Sequence, residues 1–260
     1  MVRWSGVFLL VWLTAAGATA SPPASLESGG TGRVVEVVDG DTVVLADGRE
    51  IRLVGIQAPK LPLGRPDFTA WPLADAAKAA LAMLIENTVV ELGYGGRTVD
   101  RHGRLLAHLY AVDGTWIQGA LLARGMARVY SFSDNRALVA EMLALERAAR
   151  AARTGIWRHP YYRVLAPEET VDRVDSFQIV EGRVLDAAVV RGRGYLNFGV
   201  DWKSDFTISI GPKSRRLFEA ANLNIEALAG KTVRVRGWIK SFNGPMIEAT
   251  HPEQVEVDTP

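Results

Sequence analysis

Residues 33–56 read RVVEVVDGDTVVLADGREIRLVGI. Arg33 to Val38 is rich in β-branched residues, which fit a pleated strand. Asp39-Gly40-Asp41 punctuates the run, because Gly tolerates positive φ and Asp side chains bond to nearby amides. Thr42 to Ala46 is a second strand. Asp47-Gly48 is a hairpin turn, and Glu50 to Ile56 is a third strand that stops short of Pro59. Three strands joined by two tight turns make a meander.

The pattern then turns helical. Pro72 precedes Leu73, Ala77, Leu81 and Leu84, which share a face at helical spacing. Thr88 to Gly93 and Arg104 to Ala111 read as strands, and Trp116 to Arg124 as a helix stopped by Gly125. Asn135 to Arg153 reads as a longer helix with Leu138, Met142, Leu145 and Ala149 on one stripe, ended by Gly155. This order fits a small closed barrel with packed helices, as in an oligonucleotide-binding barrel. Further on, Phe177 to Val190 contains a strand, EGRVLDAAVV, and Tyr195 to Trp202, Phe206 to Ile210, Thr232 to Ile239 and Met246 to Thr250 read as strands, with a short helix over Ser214 to Ala221. The expected class is therefore α+β, dominated by β-barrels, with a second, smaller OB-like barrel.

Residues 1–20 read as a signal peptide: Arg3, an apolar run from Val7 to Ala16, and the small-residue site Ala18-Thr19-Ala20. Residues 21–31 form a Pro-, Ser- and Gly-rich leader expected to be disordered. The first domain is expected over 32–159, a linker over 160–175 and the second domain over 176–258. No later segment has the roughly 20 apolar residues that a membrane span needs. The expected location is periplasmic or secreted.

Lys plus Arg number 30 and Asp plus Glu 29, which argues against bulk coating of nucleic acid but leaves room for a local basic cleft. Cysteine is absent, which removes disulfides, thiolate metal sites and a cysteine nucleophile together. His102, His108, His159 and His251 show no metal-ligand spacing.

Four segments carry the chemistry: Val37 to Val43 (VVDGDTV), Ile51 to Ile56 with Ala58-Pro59 (IRLVGI and AP), Asp100 to Arg104 (DRHGR), and Gly155-Ile156-Trp157. In this order and spacing they resemble the thermonuclease, or staphylococcal-nuclease-like, family over about residues 33 to 158. The resemblance implies phosphodiester hydrolysis of DNA or RNA, with calcium held by carboxylates and arginines on the phosphate oxygens. By the same resemblance Asp41 is a metal ligand with Asp39 close to the ion. Arg52 and Arg104 contact the phosphate and stabilise the transition state.

Two positions depart from the family. Gln57 stands where a second liganding Asp is expected, and Lys60 stands where the general base is expected. A neutral amide brings no charge to a cation, and an ammonium cannot accept a proton. The implied calcium site is weak, and the implied activity is weak or lost. Asp67, in the loop after Lys60, is the candidate substitute carboxylate. Arg191 and Arg193 beside Tyr195 are candidate nucleic-acid contacts; the other reading is a charged hairpin tip. The alternative function is a non-catalytic envelope protein that binds nucleic acid or a protein partner through two OB-like barrels.

Cleavage after Ala20 predicts a mature chain that starts at Ser21. Intact-mass measurement on protein recovered from the cell envelope or medium checks this. A mass that still includes Arg3 to Leu13 overturns it.

Overall fold

A computed structural model describes residues 22–257. The expected signal peptide lies outside the described residues. Five strands close the first barrel in the order β1 (Glu27–Asp39), β2 (Thr42–Leu45), β3 (Glu50–Leu53), β6 (Leu105–Ala111) and β5 (Val89–Tyr94), which returns to β1. All ladders are antiparallel except β3 with β6. Closure leaves no free edge among these strands. Helices α1 (Ala74–Ile85), α2 (Ile117–Ala123) and α3 (Val139–Ala151) pack against the barrel, and Val43, Ile51, Leu53, Leu81, Leu109, Leu121 and Met142 share one core. β4 (Ile56–Gln57) leaves the barrel to pair with β7 (Arg128–Val129).

The leader does not remain disordered up to residue 31. β1 starts at Glu27, its first residues pair with β5, and Leu26 is buried. The ladder supplies hydrogen bonds that composition alone does not reveal. The third helix starts at Val139 rather than Asn135. Asn135 N–H closes a turn on Phe132 O (3.0 Å), and Leu138 is left-handed at φ 58°. Gly155 is needed where the chain leaves α3. Its φ is +56°, and a Cβ there would meet Gly125 O at 2.2 Å.

The second unit is a seven-stranded sheet in the order β14 (Val255–Val257), β12 (Thr232–Ser241), β13 (Pro245–Ala249), β11 (Thr207–Ile210), β10 (Arg193–Asn197) and β9 (Asp186–Val190), with β8 (Phe177–Arg183) also paired to β12. The chain runs directly from β8, which pairs with β12 at one end of this order, into β9, which pairs with β10 at the other. Helix α4 (Pro212–Ala220) covers the sheet through buried Phe218. The strand expected over Glu181 to Val190 divides at Val184, whose N–H and C=O bond instead to Lys231 and Gly230.

The connector is packed rather than open. It carries 3-10 turns at Pro160–Tyr162 and Pro167–Arg173, with Tyr162, Leu165 and Thr170 buried. Tyr162 OH donates to Pro72 O (2.7 Å), and Leu165 exchanges backbone hydrogen bonds with Ile179 and Glu181. These scattered anchors lack a period, so sequence pattern misses them.

The two units meet over a buried ion pair. Arg236 on β12 is 1% exposed; it donates to both carboxylate oxygens of Glu146 on α3 (2.9 Å each) and to Glu256 Oε1 (2.6 Å). Glu146 also accepts from Arg150 NH1 (3.0 Å) and from Val129 N–H (2.6 Å). Removing one partner of such a pair strands a charge without water, at a cost of about 3–5 kcal/mol. Glu146→Ala is therefore expected to lower the urea unfolding free energy by about that amount, and a change below about 1 kcal/mol would overturn the assignment.

Candidate nuclease-like site

The site begins at the turn between β1 and β2. Asp41 N–H donates to Asp39 Oδ1 (3.0 Å), so the first Asp shapes the turn that turns the second one inward. Gly40 is required by close approach: a Cβ there would lie 2.6 Å from Ala58 Cβ and 2.8 Å from Ala77 Cβ. Asp41 is fully buried and Asp39 nearly so.

Asp41 is saturated with donors. Ala58 N–H donates to its Oδ2 (2.7 Å), Thr42 Oγ1 donates to Oδ1 (3.3 Å), and Lys60 Nζ donates to both oxygens (2.8 Å each). Lys60 Nζ also reaches Asp39 Oδ2 (3.4 Å). Arg52 NH2 lies 3.2 Å from Asp41 Oδ2. Burial alone would raise the Asp41 carboxyl; Arg52 and Lys60, with the Lys60 and Ala58 hydrogen bonds, outweigh it and hold the pKa at about 2.

Arg52 is turned towards the protein. Its NH1 donates to Leu53 O (2.6 Å) and Asp41 O (3.3 Å), and its NH2 donates to Ile56 O (2.6 Å). Gly55, at φ +82°, turns the chain so that the Ile56 carbonyl meets this guanidinium. Gln57 is equally committed. Its Oε1 accepts from Arg128 Nε (3.0 Å) and NH2 (2.8 Å), its neighbour across the β4–β7 pair. Arg128 is buried against Phe177 (4.6 Å to the ring centre), Trp71 (5.7 Å) and Tyr162 (5.9 Å), and burial lowers its pKa to about 10.

A calcium ion does not fit this donor set. Calcium takes six to eight oxygen ligands, typically with several carboxylates. Here the two carboxylates already hold an ammonium, and the amide oxygen at position 57 is spent on Arg128. Among the described residues no group of three or more His, Asp or Glu side chains is placed to hold a metal ion.

Arg104 lies on the open side. Asp100 caps the DRHGR turn through the N–H groups of His102 (2.8 Å) and Arg104 (3.0 Å), and its Oδ2 accepts from Arg104 Nε (2.9 Å). Arg104 then lines a cleft of about 340 Å³ with Arg52, Arg97, Arg101, His102, Tyr130 and Phe132, against two carboxylates, Asp100 and Asp134. The structure thus brings Asp39, Asp41, Arg52 and Lys60 into one charge cluster and puts Arg104 in the adjoining cleft. Asp67 does not join them; it sits exposed in the loop whose ends are tied by Trp71 N–H to Lys60 O (2.9 Å). Arg191 is at the exposed tip between β9 and β10, and Arg193 pairs with Glu248 (3.2 Å), both in the second unit with Tyr195. Sequence reading missed Arg97, Arg101, Tyr130 and Arg128. The spacing of Arg97, Arg101 and Arg104 around the DRHGR turn is the signal that could have found the first two.

Residues 50–159, which carry β3, β5 and β6 of the barrel and line the arginine cleft, match the family model described as staphylococcal nuclease homologue. An uncharacterized endonuclease of Escherichia coli O157:H7 is 34% identical over 129 residues, 48% of this chain and 76% of that protein. The chain belongs to the staphylococcal nuclease homologues. The thermonuclease of Staphylococcus hyicus is 25% identical over 154 residues (58% of this chain, 89% of that protein). The micrococcal nuclease of Shigella flexneri is 29% identical over 140 residues (50% and 74%). The sheet unit from β8 onwards lies beyond the matched residues.

The depressed Asp41 pKa has a sign. The folded carboxyl titrates near 2 against about 3.9 when unfolded. Its contribution is therefore present above pH ~4 and is lost as the pH falls towards 2. Asp41→Asn should cost about 2 kcal/mol at pH 7, with the deficit shrinking between pH 4 and 2. Urea unfolding of both proteins across that range checks this. A deficit independent of pH would show that the charge is not what stabilises the turn.

Proposed function

We propose that this is an exported nuclease-fold protein that holds the phosphate backbone of DNA or RNA in its arginine cleft and hydrolyses it slowly or not at all. The observation that carries this is the Lys60 ammonium, 2.8 Å from both oxygens of Asp41. It neutralises the charge that a catalytic cation would need. A cationic group at that position also cannot remove a proton from water. The cleft itself has what backbone binding needs: Arg97, Arg101 and Arg104 line it together with the rings of Tyr130 and Phe132. The reading of export rests on the leader, Arg3 to Ala20. No helix among the described residues is long and apolar enough to cross a membrane.

The test uses the mature chain from Ser21 with plasmid, single-stranded DNA and RNA, in calcium, in chelator, and as Lys60→Glu. We expect no calorimetric signal from calcium and little cleavage in either buffer. Gln57→Asp together with Lys60→Glu should strengthen calcium binding. Arg104→Ala should weaken oligonucleotide binding several-fold and reduce its salt dependence, because a phosphate contact is removed. Rapid calcium-dependent cleavage by the unaltered protein overturns the reading, and Asp67 is then the first carboxylate to replace.

A further inference from the structure

The register of the second unit's sheet fixes which side chains share its outer face. Asp186, Ala188 and Val190 of β9 lie opposite Asn197, Tyr195 and Arg193 of β10. Tyr195 and Asn197 lie opposite Ser209 and Thr207 of β11, which neighbour Glu248 and Met246 of β13. Met246 lies opposite Lys240 of β12. Side chains alternate along a strand, so Trp238 and Arg236 share the face of Lys240. The other face carries the core: Leu196, Ile208, Ile210, Ile239 and Ile247 are buried.

This outer face is not finished as an ordinary polar surface. Tyr195, Met246, Ala188 and Val190 floor a depression of about 390 Å³, flanked by Trp202 from the loop after β10 and Phe242 from the turn after β12. Trp202 is 54% exposed and Phe242 62%. Large exposed apolar groups gathered in one place mark an interaction site more often than scattered ones do. The polar groups among them, Asn197, Asn243 and Thr207, can pair with donors and acceptors.

The face continues into the arginine cleft. Trp238 Nε1 donates to Tyr130 OH (2.9 Å), and Tyr130 lines that cleft with Phe132 edge-on at 4.9 Å. From Trp238 the same face passes Lys240 and crosses β13 and β11 to Tyr195 on β10. Three strand spacings of about 4.8 Å make that crossing about 14 Å. Cations accompany it. Lys203 Nζ lies 5.6 Å from the Trp202 ring centre. Glu248 sits between Arg193 (3.2 Å) and Lys240 (3.6 Å), a trio that remains net positive. Arg191 is exposed at the β9–β10 tip.

We propose that this face is a track for single-stranded nucleic acid leaving the cleft, with unpaired bases stacking on Tyr195, Trp202 and Phe242 and phosphates following Lys240 and Lys203. The proposal rests on the reading of the cleft as a backbone-binding groove and extends it to a second, separate surface. Single strands are the occupant because ring faces are open to stacking only in unpaired bases, and because every base offers one. A buried apolar peptide would leave the cations beside the rings unmatched. A duplex would meet the rings with its backbone.

The experiment is anisotropy of labelled oligothymidylate, about 4 and about 12 nucleotides long, lengths that bracket the lower range of single-strand site sizes. It uses the mature full chain in chelator, with the Trp202→Ala/Phe242→Ala and Arg104→Ala variants. Both rings are exposed, so the double variant should keep the unfolding midpoint, which is measured alongside. We expect the unaltered protein to bind the longer strand at least tenfold more tightly than the shorter one. The double variant should lose about tenfold on the longer strand and nothing on the shorter. Arg104→Ala should weaken both. An unchanged affinity of the double variant for the longer strand overturns the track while leaving the cleft reading intact. Loss in the double variant with no effect of Arg104→Ala overturns the cleft reading instead. A duplex bound as tightly as the single strand, or a dimer seen by light scattering that the double variant abolishes, also overturns the track. Binding of neither oligonucleotide overturns both readings.

Discussion

Glu146 is the constraint on which both halves of the molecule depend. It is a carboxylate with no exposure, so it must be fully satisfied, and its partners come from three places. Arg150 comes from its own helix, Val129 N–H from β7, and Arg236 from the sheet of the second unit. Fixing β7 fixes Arg128, which holds Gln57 across the β4–β7 pair. The same β4 segment offers the Ile56 carbonyl to Arg52. The second unit is thus mechanically part of the nuclease-like site, reinforced where its Phe177 ring covers the Arg128 guanidinium.

The site balances its carboxylates from within the chain. A metal centre collects anions and waits for a cation. Here Asp41 and Asp39 have the cations Lys60 and Arg52 built into the chain. An internal ammonium is always present, is tethered, and needs no ion from solution. It also supplies no open coordination position and no activated water. The low pKa of Asp41 follows from the same arrangement: burial would raise it, and two adjacent cations prevail. The cost is that Arg52, which the family resemblance casts as a phosphate contact, spends its terminal nitrogens on carbonyls and on Asp41.

Charge in this chain is local rather than global. Its formal net charge is +1, yet the cleft is lined by four arginines against two carboxylates. Ion pairs take up other charges, Arg136 with Glu253 between the units and Arg234 with Glu181 within the second. A near-neutral total therefore says little about what the cleft attracts, because potentials are set by nearby charges and screened within about 10 Å at moderate salt.

The sequence by itself determined the first barrel and the chemical identity of the site. Tight turns at Asp39 to Asp41 and Asp47-Gly48, with β-branched runs between them, leave few alternatives to a meander, and that information is local. It also determined that position 57 carries a neutral amide and position 60 an ammonium, one bringing no charge to a cation and the other unable to accept a proton in any fold. Tertiary structure decided what those groups do instead. Lys60 meets Asp41 from 19 residues away, and Arg128 meets Gln57 from 71, partnerships with no period to read. It decided which strands of the second unit pair, β11 with β13 in parallel and β12 with β8, β13 and β14, because pairing depends on which edges meet and not on which residues favour strands. It also put Arg236, an unremarked residue in an alternating strand, on Glu146, 90 residues earlier. Burying a charge is tolerable only when distant segments bring its partner, and only the assembled fold does that.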